Sequence, residues 1–482
     1  MPHPSRLRLP LIWFAVLLVA AVAVSLQRKR TDESAALASD EGGLVEPRAL
    51  DEVAVQLEPI SIQSELVGKL TIAVQAFAPD FSPSDLLSNA APLKAGSAVD
   101  QLAYSVLVGS IESWEQGAIA AHAVVIDPEG AHAAALLTLR DDVVAALEIR
   151  AASVADGATD TASVSDETLE RIEAKLGYYG RLLGPDAAAG EAASTLVVMI
   201  AVGGWYITVF LIGSVVLLAI AIMAISGKLR PRFEPVSDTH AGIVLGEVFL
   251  LWIVAFLGLS VCAELALATV GGSDSVAMHL GMSMIAMLAS LFTLVFASVR
   301  GVSPRQLRTM IGLHRGEGLI KEALFGIGCY LSAVPILALG LLVFVALNFV
   351  SEQLIGESPA PSHPAVEMLG SASAIEIMLL FMLASVVAPF VEEIAFRGLL
   401  YGHLRAVVAP RMRFISLLVA AIGSSFIFAV IHPQGVLFVP ALGGLAVGFC
   451  IFRELRGSLV APMVAHAVNN AVTLAIGLTL LG

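Results

Sequence analysis

Two adjacent carboxylates, Glu392 and Glu393, close the apolar run 377–391, and Ile394-Ala395-Phe396-Arg397-Gly398 follows them. A charge near the centre of a bilayer costs somewhere between about 2.5 and 17 kcal/mol, so such residues are functional candidates by default. Two later apolar stretches carry matching polar groups. One is Phe428-Ala429-Val430-Ile431-His432, the other His466-Ala467-Val468-Asn469-Asn470. Peptide hydrolysis needs a base for water, a donor for the oxyanion and a proton for the leaving amine. A glutamate, two histidines and an asparagine amide can fill those roles. Two histidines and a carboxylate, here Glu392, His432 and His466, could instead hold zinc with water in the fourth position. The residue types allow both.

Helical spacing decides which of these groups share a face. Glu393 and Arg397 are four apart and can pair, as can Phe428 with His432 and His466 with Asn470. Glu392 points about 100° away from Glu393 and need not meet the same partner. Pro389, Pro433 and Pro462 flank the three motifs. Proline at membrane depth frees backbone groups and is tolerated where the chain lines a cavity.

The elements that must hold these groups are membrane spans. The 482 residues are 57% hydrophobic and 14% charged, with mean hydropathy +0.86. A soluble domain is nearer a quarter charged. Nine runs approach the roughly 20 residues a span needs: 9–26, 196–225, 243–270, 278–299, 324–350, 373–396, 413–431, 435–452 and 458–481. The expected fold is therefore all-α, a polytopic transmembrane helical bundle.

Charge is uneven along the chain. Residues 27–194 hold 27 Asp and Glu against 11 Lys and Arg, a net of −16; the rest holds 14 against 16, leaving −14 overall. Basic residues orient spans. Arg6, Arg8, Lys228, Arg230, Arg232, Arg300, Arg305, Arg308, Arg315, Lys321, Arg405, Arg411, Arg413, Arg453 and Arg456 fall at alternate connections, all on one side, and the loops between, 271–279, 351–372 and 433–434, contain no Lys or Arg. That pattern predicts an extracytoplasmic acidic segment and a C-terminus on the same side; Arg28-Lys29-Arg30 runs against it.

Residues 1–26 read as an uncleaved signal anchor in preference to a signal peptide, since Val24-Ser25-Leu26 continues the apolar run past Ala21-Val22-Ala23. Residues 27–194 read as an acidic, Ala-rich extramembrane domain, with helices over 141–152 and 167–183 and linkers at 31–46 and 152–165. Residues 195–300 supply additional transmembrane helices. The three cysteines lie in apolar runs, so the acidic segment is not a disulfide scaffold. Glu247 and Glu376, near span ends, are expected to be wet, and Glu264 to stand behind the site. Met278, Met282, Met284 and Met287 read as packing.

If the sixth span continues as a helix through Arg405, a rise of 1.5 Å per residue brings Glu392 and His432 to within ~6–9 Å in depth. His466 reaches the same level only if the break at His432-Pro433-Gln434-Gly435 is embedded in the bilayer.

Taken singly, each motif has a structural explanation: an interfacial ion pair, a helix-end histidine, a hydrogen bond between helices. Together those explanations leave Glu392 without a role. In this order and on apolar helices, Glu-Glu-x-x-x-Arg, Phe-x-x-x-His and His-x-x-x-Asn resemble the CPBP family. That family groups type II CAAX prenyl proteases with bacteriocin-processing and Abi proteins. The resemblance covers roughly 388–472 and implies a protease core over 301–482. It implies Glu392 as general base, His432 as the group holding the water, and His466 with Asn470 at the oxyanion. It implies Glu393 and Arg397 as a supporting ion pair. It implies no required cofactor, with zinc possible, and a membrane-associated protein or peptide substrate rather than nucleic acid. The competing reading is a non-proteolytic membrane scaffold or immunity protein that keeps the fold. A transporter with a midplane carboxylate ranks below it, because two halves with matching broken helices are not visible.

Overall fold

The computed structural model describes residues 57–481, apart from 58, 78–80, 89, 129, 131, 156–163, 185–186, 270–274, 356–371 and 409–411. The candidate span 9–26, the basic triplet 28–30 and the linker 31–46 lie outside the described residues, as does part of the linker 152–165. All regular structure among the described residues is helical. Chain contacts divide it into two compact units, essentially residues 32–204 and 205–477.

In the first unit, α1 (Ile62–Phe77), α2 (Pro83–Ser88), α3 (Ala91–Ala95), α4 (Ala98–Ile111), α5 (Trp114–His122), α6 (Ala133–Ala155), α7 (Asp166–Leu176) and α8 (Tyr178–Leu182) enclose a core of their own. Leu102, Val106, Leu107, Leu147, Ile172, Leu176 and Tyr179 are fully buried in it. The described part of this acidic segment is therefore a packed helical domain. The single helix expected over 167–183 is broken. Gly177 sits at φ +50°, a conformation glycine adopts without steric cost, and the Glu65 carboxylate accepts from Tyr178 N at 3.2 Å just beyond it. The helix expected at 141–152 extends to Ala133–Ala155.

Among the described residues, eight helices are long and apolar enough to cross a membrane. They are α9 (Ala187–Ile225), α10 (Thr239–Thr269), α11 (Val276–Val299, its last turns partly 3-10), α13 (Leu319–Ile355), α14 (Ala374–Val407), α15 (Arg413–Val430), α16 (Val439–Arg456) and α17 (Val460–Leu481), with the short α12 (Pro304–Ile311) between α11 and α13. They match the second to ninth sequence candidates, and the protein is a multi-pass membrane protein. Large apolar side chains remain exposed along them, among them Ile207, Leu211, Val215, Leu342, Val345 and Phe426. A surface of that kind suits acyl chains and not water.

The site is held by packing of α13 on α16, α15 on α16, and α10 against α14. Small residues allow these close approaches. A Cβ on Gly213 of α9 would collide with the Leu331 carbonyl of α13, and one on Gly340 of α13 with the backbone at Pro440. Such contacts drive association where lipid removes the hydrophobic incentive.

Two of the intramembrane acids lie elsewhere than expected. Glu247 is paired with Arg300 and only 15% exposed, so it is not wet. Glu264 sits 3.4 Å from His279 and is 62% exposed, so it does not back the site. Glu376 closes a capping box with Ser373 at the start of α14.

Candidate active site

Helix α14 carries both carboxylates and is not a regular helix. It widens to π geometry at Leu383–Val387 and again at Ile394–Leu400, with the α-helical turn Ala388–Glu393 between. Pro389 has no N–H and its ring crowds the preceding turn, which opens the ladder just before the acidic pair. Such single π turns recur at functional sites. The helix nonetheless runs on to Val407, well past its apolar stretch.

Helix α15 ends at Val430, and residues 431–435 form a tight turn with Gly435 at φ +84°. His432 stands in this turn. Its Nδ1–H donates to the Phe428 carbonyl at 2.6 Å, since a carbonyl can only accept. In the neutral ring that leaves a lone pair on Nε2, which lies 3.9 Å from Glu392 Oε2. On α17, His466 Nε2 lies 3.8 Å from the same oxygen, and Nδ1 is 2.9 Å from Glu393 Oε1. The three motifs thus converge. Both Glu392 separations are too long for direct hydrogen bonds and leave room for a bridging water.

The two adjacent carboxylates live in different surroundings. Glu393 is 0% exposed; its Oε1 accepts from Arg397 Nη1 at 2.8 Å as well as from His466. Its Oε2 is buried with no hydrogen-bond partner among the described residues. Glu392 is 17% exposed and open toward the two histidines. Arg397 also reaches the Ala446 carbonyl at 3.4 Å. Its guanidinium is sandwiched between Phe428 (4.5 Å) and Phe449 (5.0 Å), where ring faces offer a buried cation further stabilisation. Phe428 touches His432 (centroids 4.2 Å apart), and Phe449 stacks on His466 at 5.1 Å. Behind Phe428 stand Phe396, Phe249 and Trp252 in edge-on and tilted contact.

The Asn470 amide is turned elsewhere. Its Nδ2 donates to the Ala384 carbonyl at 2.7 Å, and its Oδ1 accepts from Asn469 at 3.2 Å. Sequence spacing shows neither this contact nor that of His466 with Glu393. Phe449, in an apolar helix with no motif around it, carries no signal of its role in sequence.

A second buried network lies farther along α14. Glu454 of α16 accepts from Tyr401 and Arg405, each at 2.6 Å, and Phe233 lies under Arg405 and Arg453. The motif's Gly398 meets Ile311 so closely that a Cβ would sit 3.0 Å from that side chain's own Cβ.

Among the described residues no three or more His, Cys, Asp and Glu side chains are gathered as a metal's ligand set.

A helical membrane bundle with a carboxylate facing two histidines, backed by a buried ion pair, defines the class. Comparison with known proteins agrees with it. Residues 374–472 match the Rce1-like family, described as type II CAAX prenyl endopeptidase. The membrane-embedded CAAX protease MroQ of Staphylococcus aureus (strain USA300) is 26% identical over 133 residues, 28% of this chain and 52% of that protein. The chain therefore spans about half the length of this curated relative. No solved structure matches. Both similarities support the CPBP resemblance, and the family match covers the part of the chain that carries the three motifs.

Proposed function

We propose that the protein is an intramembrane endopeptidase in which Glu392 activates a water for attack on a peptide carbonyl. The carrying observation is the position of Glu392 Oε2, 3.9 Å from His432 Nε2 and 3.8 Å from His466 Nε2. A water between Glu392 and His432 donates one proton to each acceptor, and its lone pair is left pointing at a third position. Glu392 takes a proton as the oxygen adds to the carbonyl carbon. His466, held at Nδ1 by Glu393, presents Nε2 to the oxyanion when that nitrogen also carries a proton. The C–N bond then breaks and the proton held by Glu392 passes to the leaving amine. General-base help of this kind contributes about 10²–10⁴-fold.

The substrate on this reading is a membrane-associated protein or peptide that enters from the bilayer. The relative's name specifies CAAX cleavage, and prenylation of the substrate is not part of the proposal. Residues 27–194 are placed on the extracytoplasmic side, following the distribution of Lys and Arg between spans.

Purified protein in detergent, offered membrane peptides found uncleaved in a knockout strain, provides the test. Cleavage is lost in Glu392→Gln and in His432→Ala while the thermal midpoint is kept. Full cleavage by both variants would overturn the assignment.

A further inference from the structure

Helix α12, in the connection between the spans α11 and α13, has two unlike faces. Ser303 caps its start by accepting from Gln306 N, Pro304 stands in its first turn, and Gly312 at φ +78° ends it. Leu307 and Ile311, four apart, are buried, and Ile311 rests on Gly398 of α14. Arg305 and Arg308, three apart, are exposed. The C-terminal end is tied to the core. Arg453 Nη2 donates to the Met310 carbonyl at 3.2 Å, Leu459 N to the Gly312 carbonyl at 2.9 Å and Ser458 Oγ to the His314 carbonyl at 2.8 Å. The carbonyls of Met310 and Gly312 are among those a helix cannot pair within itself at its C-terminal end. The two arginines therefore start from a fixed backbone.

Charge on this connection is unbalanced. Residues 300–321 hold Arg300, Arg305, Arg308, Arg315 and Lys321 against Glu317 alone. Glu317 is engaged by Arg232 and Arg456, and Arg300 by Glu247. Arg305, Arg308, Arg315 and Lys321 are exposed and have no acidic partner among the described residues. Orienting the spans requires basic residues on this side, but not on a fixed helix clear of carboxylates. A second observation narrows the partner. The last turn of α11, Phe296–Val299, packs against α12. Along α11, Ile285, Leu288, Phe292, Val295 and Val299 are exposed at helical spacing and lead up to that turn. Guanidinium groups at the head of an exposed apolar stripe fit a molecule with an anionic headgroup and acyl chains. A free anion would leave the stripe uncovered, and an acidic protein segment has no acyl chain to lay along it.

We propose that α12 and the end of α11 bind an anionic phospholipid, with its phosphate on Arg305 and Arg308 and its acyl chains along the α11 stripe. Arg315 and Lys321 add to the positive field of the same connection. The site is independent of the protease reading, since neither arginine belongs to the three motifs.

The test titrates the full-length protein, purified in detergent and stripped of lipid, with phosphatidylglycerol or phosphatidylcholine and reads bound lipid by native mass spectrometry. Phosphatidylglycerol is retained in preference to phosphatidylcholine, and neither inorganic phosphate nor glycerol phosphate displaces it. Arg308→Gln weakens its binding about fivefold, the equivalent of the roughly 1 kcal/mol that a basic residue contributes at an anionic lipid surface. Arg305→Gln with Arg308→Gln weakens it about twenty-five-fold. Arg308→Lys keeps the charge and stays within about threefold of the natural protein. Arg413→Gln removes an equally exposed charge at the start of α15, on the side to which the same charge pattern assigns α12, and changes binding by less than about twofold. All four substitutions are at exposed positions, so thermal midpoints without lipid stay unchanged and report that the variants are folded. Equal binding of the two lipids, or none, would overturn the proposal. So would an equal loss in Arg413→Gln, which would mean diffuse attraction without a site, and so would displacement by free phosphate, which would make the ligand a soluble anion.

Discussion

His466 Nδ1 lies 2.9 Å from Glu393 Oε1, a contact between helices that turns one half of the acidic pair into a support for the other. Glu393 is held by Arg397 and His466 together and is wholly buried. Glu392, one residue earlier, has only longer approaches to the histidines. The two glutamates should therefore fail differently when replaced. Removing one member of a buried ion pair typically costs about 3–5 kcal/mol. Glu393→Ala and Arg397→Ala should each lose stability on that scale, whereas Glu392→Gln should keep its midpoint and lose cleavage. Thermal unfolding in detergent alongside a cleavage assay distinguishes the two patterns.

Phe428 separates the ion pair from His432. Its ring covers the Arg397 guanidinium and abuts both histidines. Truncation of a buried Phe to Ala costs about 3–5 kcal/mol. Phe428→Leu fills most of the volume without the ring, so the expected outcome is a folded protein with reduced kcat and little change in KM. An unchanged kcat in Phe428→Leu would mean that the ring is packing only.

Water activation by Glu392 without a metal predicts that cleavage survives exhaustive treatment with chelator. Elemental analysis by mass spectrometry of the purified protein should find substoichiometric zinc, the same in His432→Ala as in the natural chain. Stoichiometric zinc that disappears in His432→Ala would replace the scheme with a metal-bound water.

Glu317, in the connection between α12 and α13, is the basis of a pH prediction. Hydrogen bonds from Arg456 first, then Arg232, hold its carboxyl below the ordinary value of 4.5. A carboxyl depressed in the folded state stabilises that state above its unfolded value, and the contribution fades as pH falls through the folded one. The thermal midpoint should therefore drop below about pH 4.5, and Glu317→Gln should flatten that drop while leaving cleavage near neutral pH intact. Both partners are partly exposed, so salt should weaken the effect. An identical acid profile in the variant would remove Glu317 from the account.

How much was legible in the sequence differs by length scale. Span-length apolar runs are one-dimensional signals, and all eight described spans appear where composition places them. Pairings four residues apart are nearly as local: Glu393 with Arg397 and Phe428 with His432 follow from helical rise alone. The surroundings of Glu247 and Glu264 are not legible in the sequence, because their partners, Arg300 and His279, come from beyond the next loop or helix, and distance to a span end says nothing about a neighbour. The break at Gly177 leaves no mark in the apolar spacing, which continues across it while the backbone does not.

What the sequence by itself determined is therefore an all-helical membrane chain, an acidic segment ahead of the eight described spans, and three short motifs with their internal geometry. Only the tertiary structure decided that residues 392, 432 and 466 meet, that Glu393 and not Glu392 anchors His466, and that Asn470 turns to a carbonyl nine residues before Glu393. The physical reason is range. Helix geometry is dictated by bonds spanning four or five residues, whereas contacts between helices depend on π turns, a proline and small-residue approaches that set each helix's rotation.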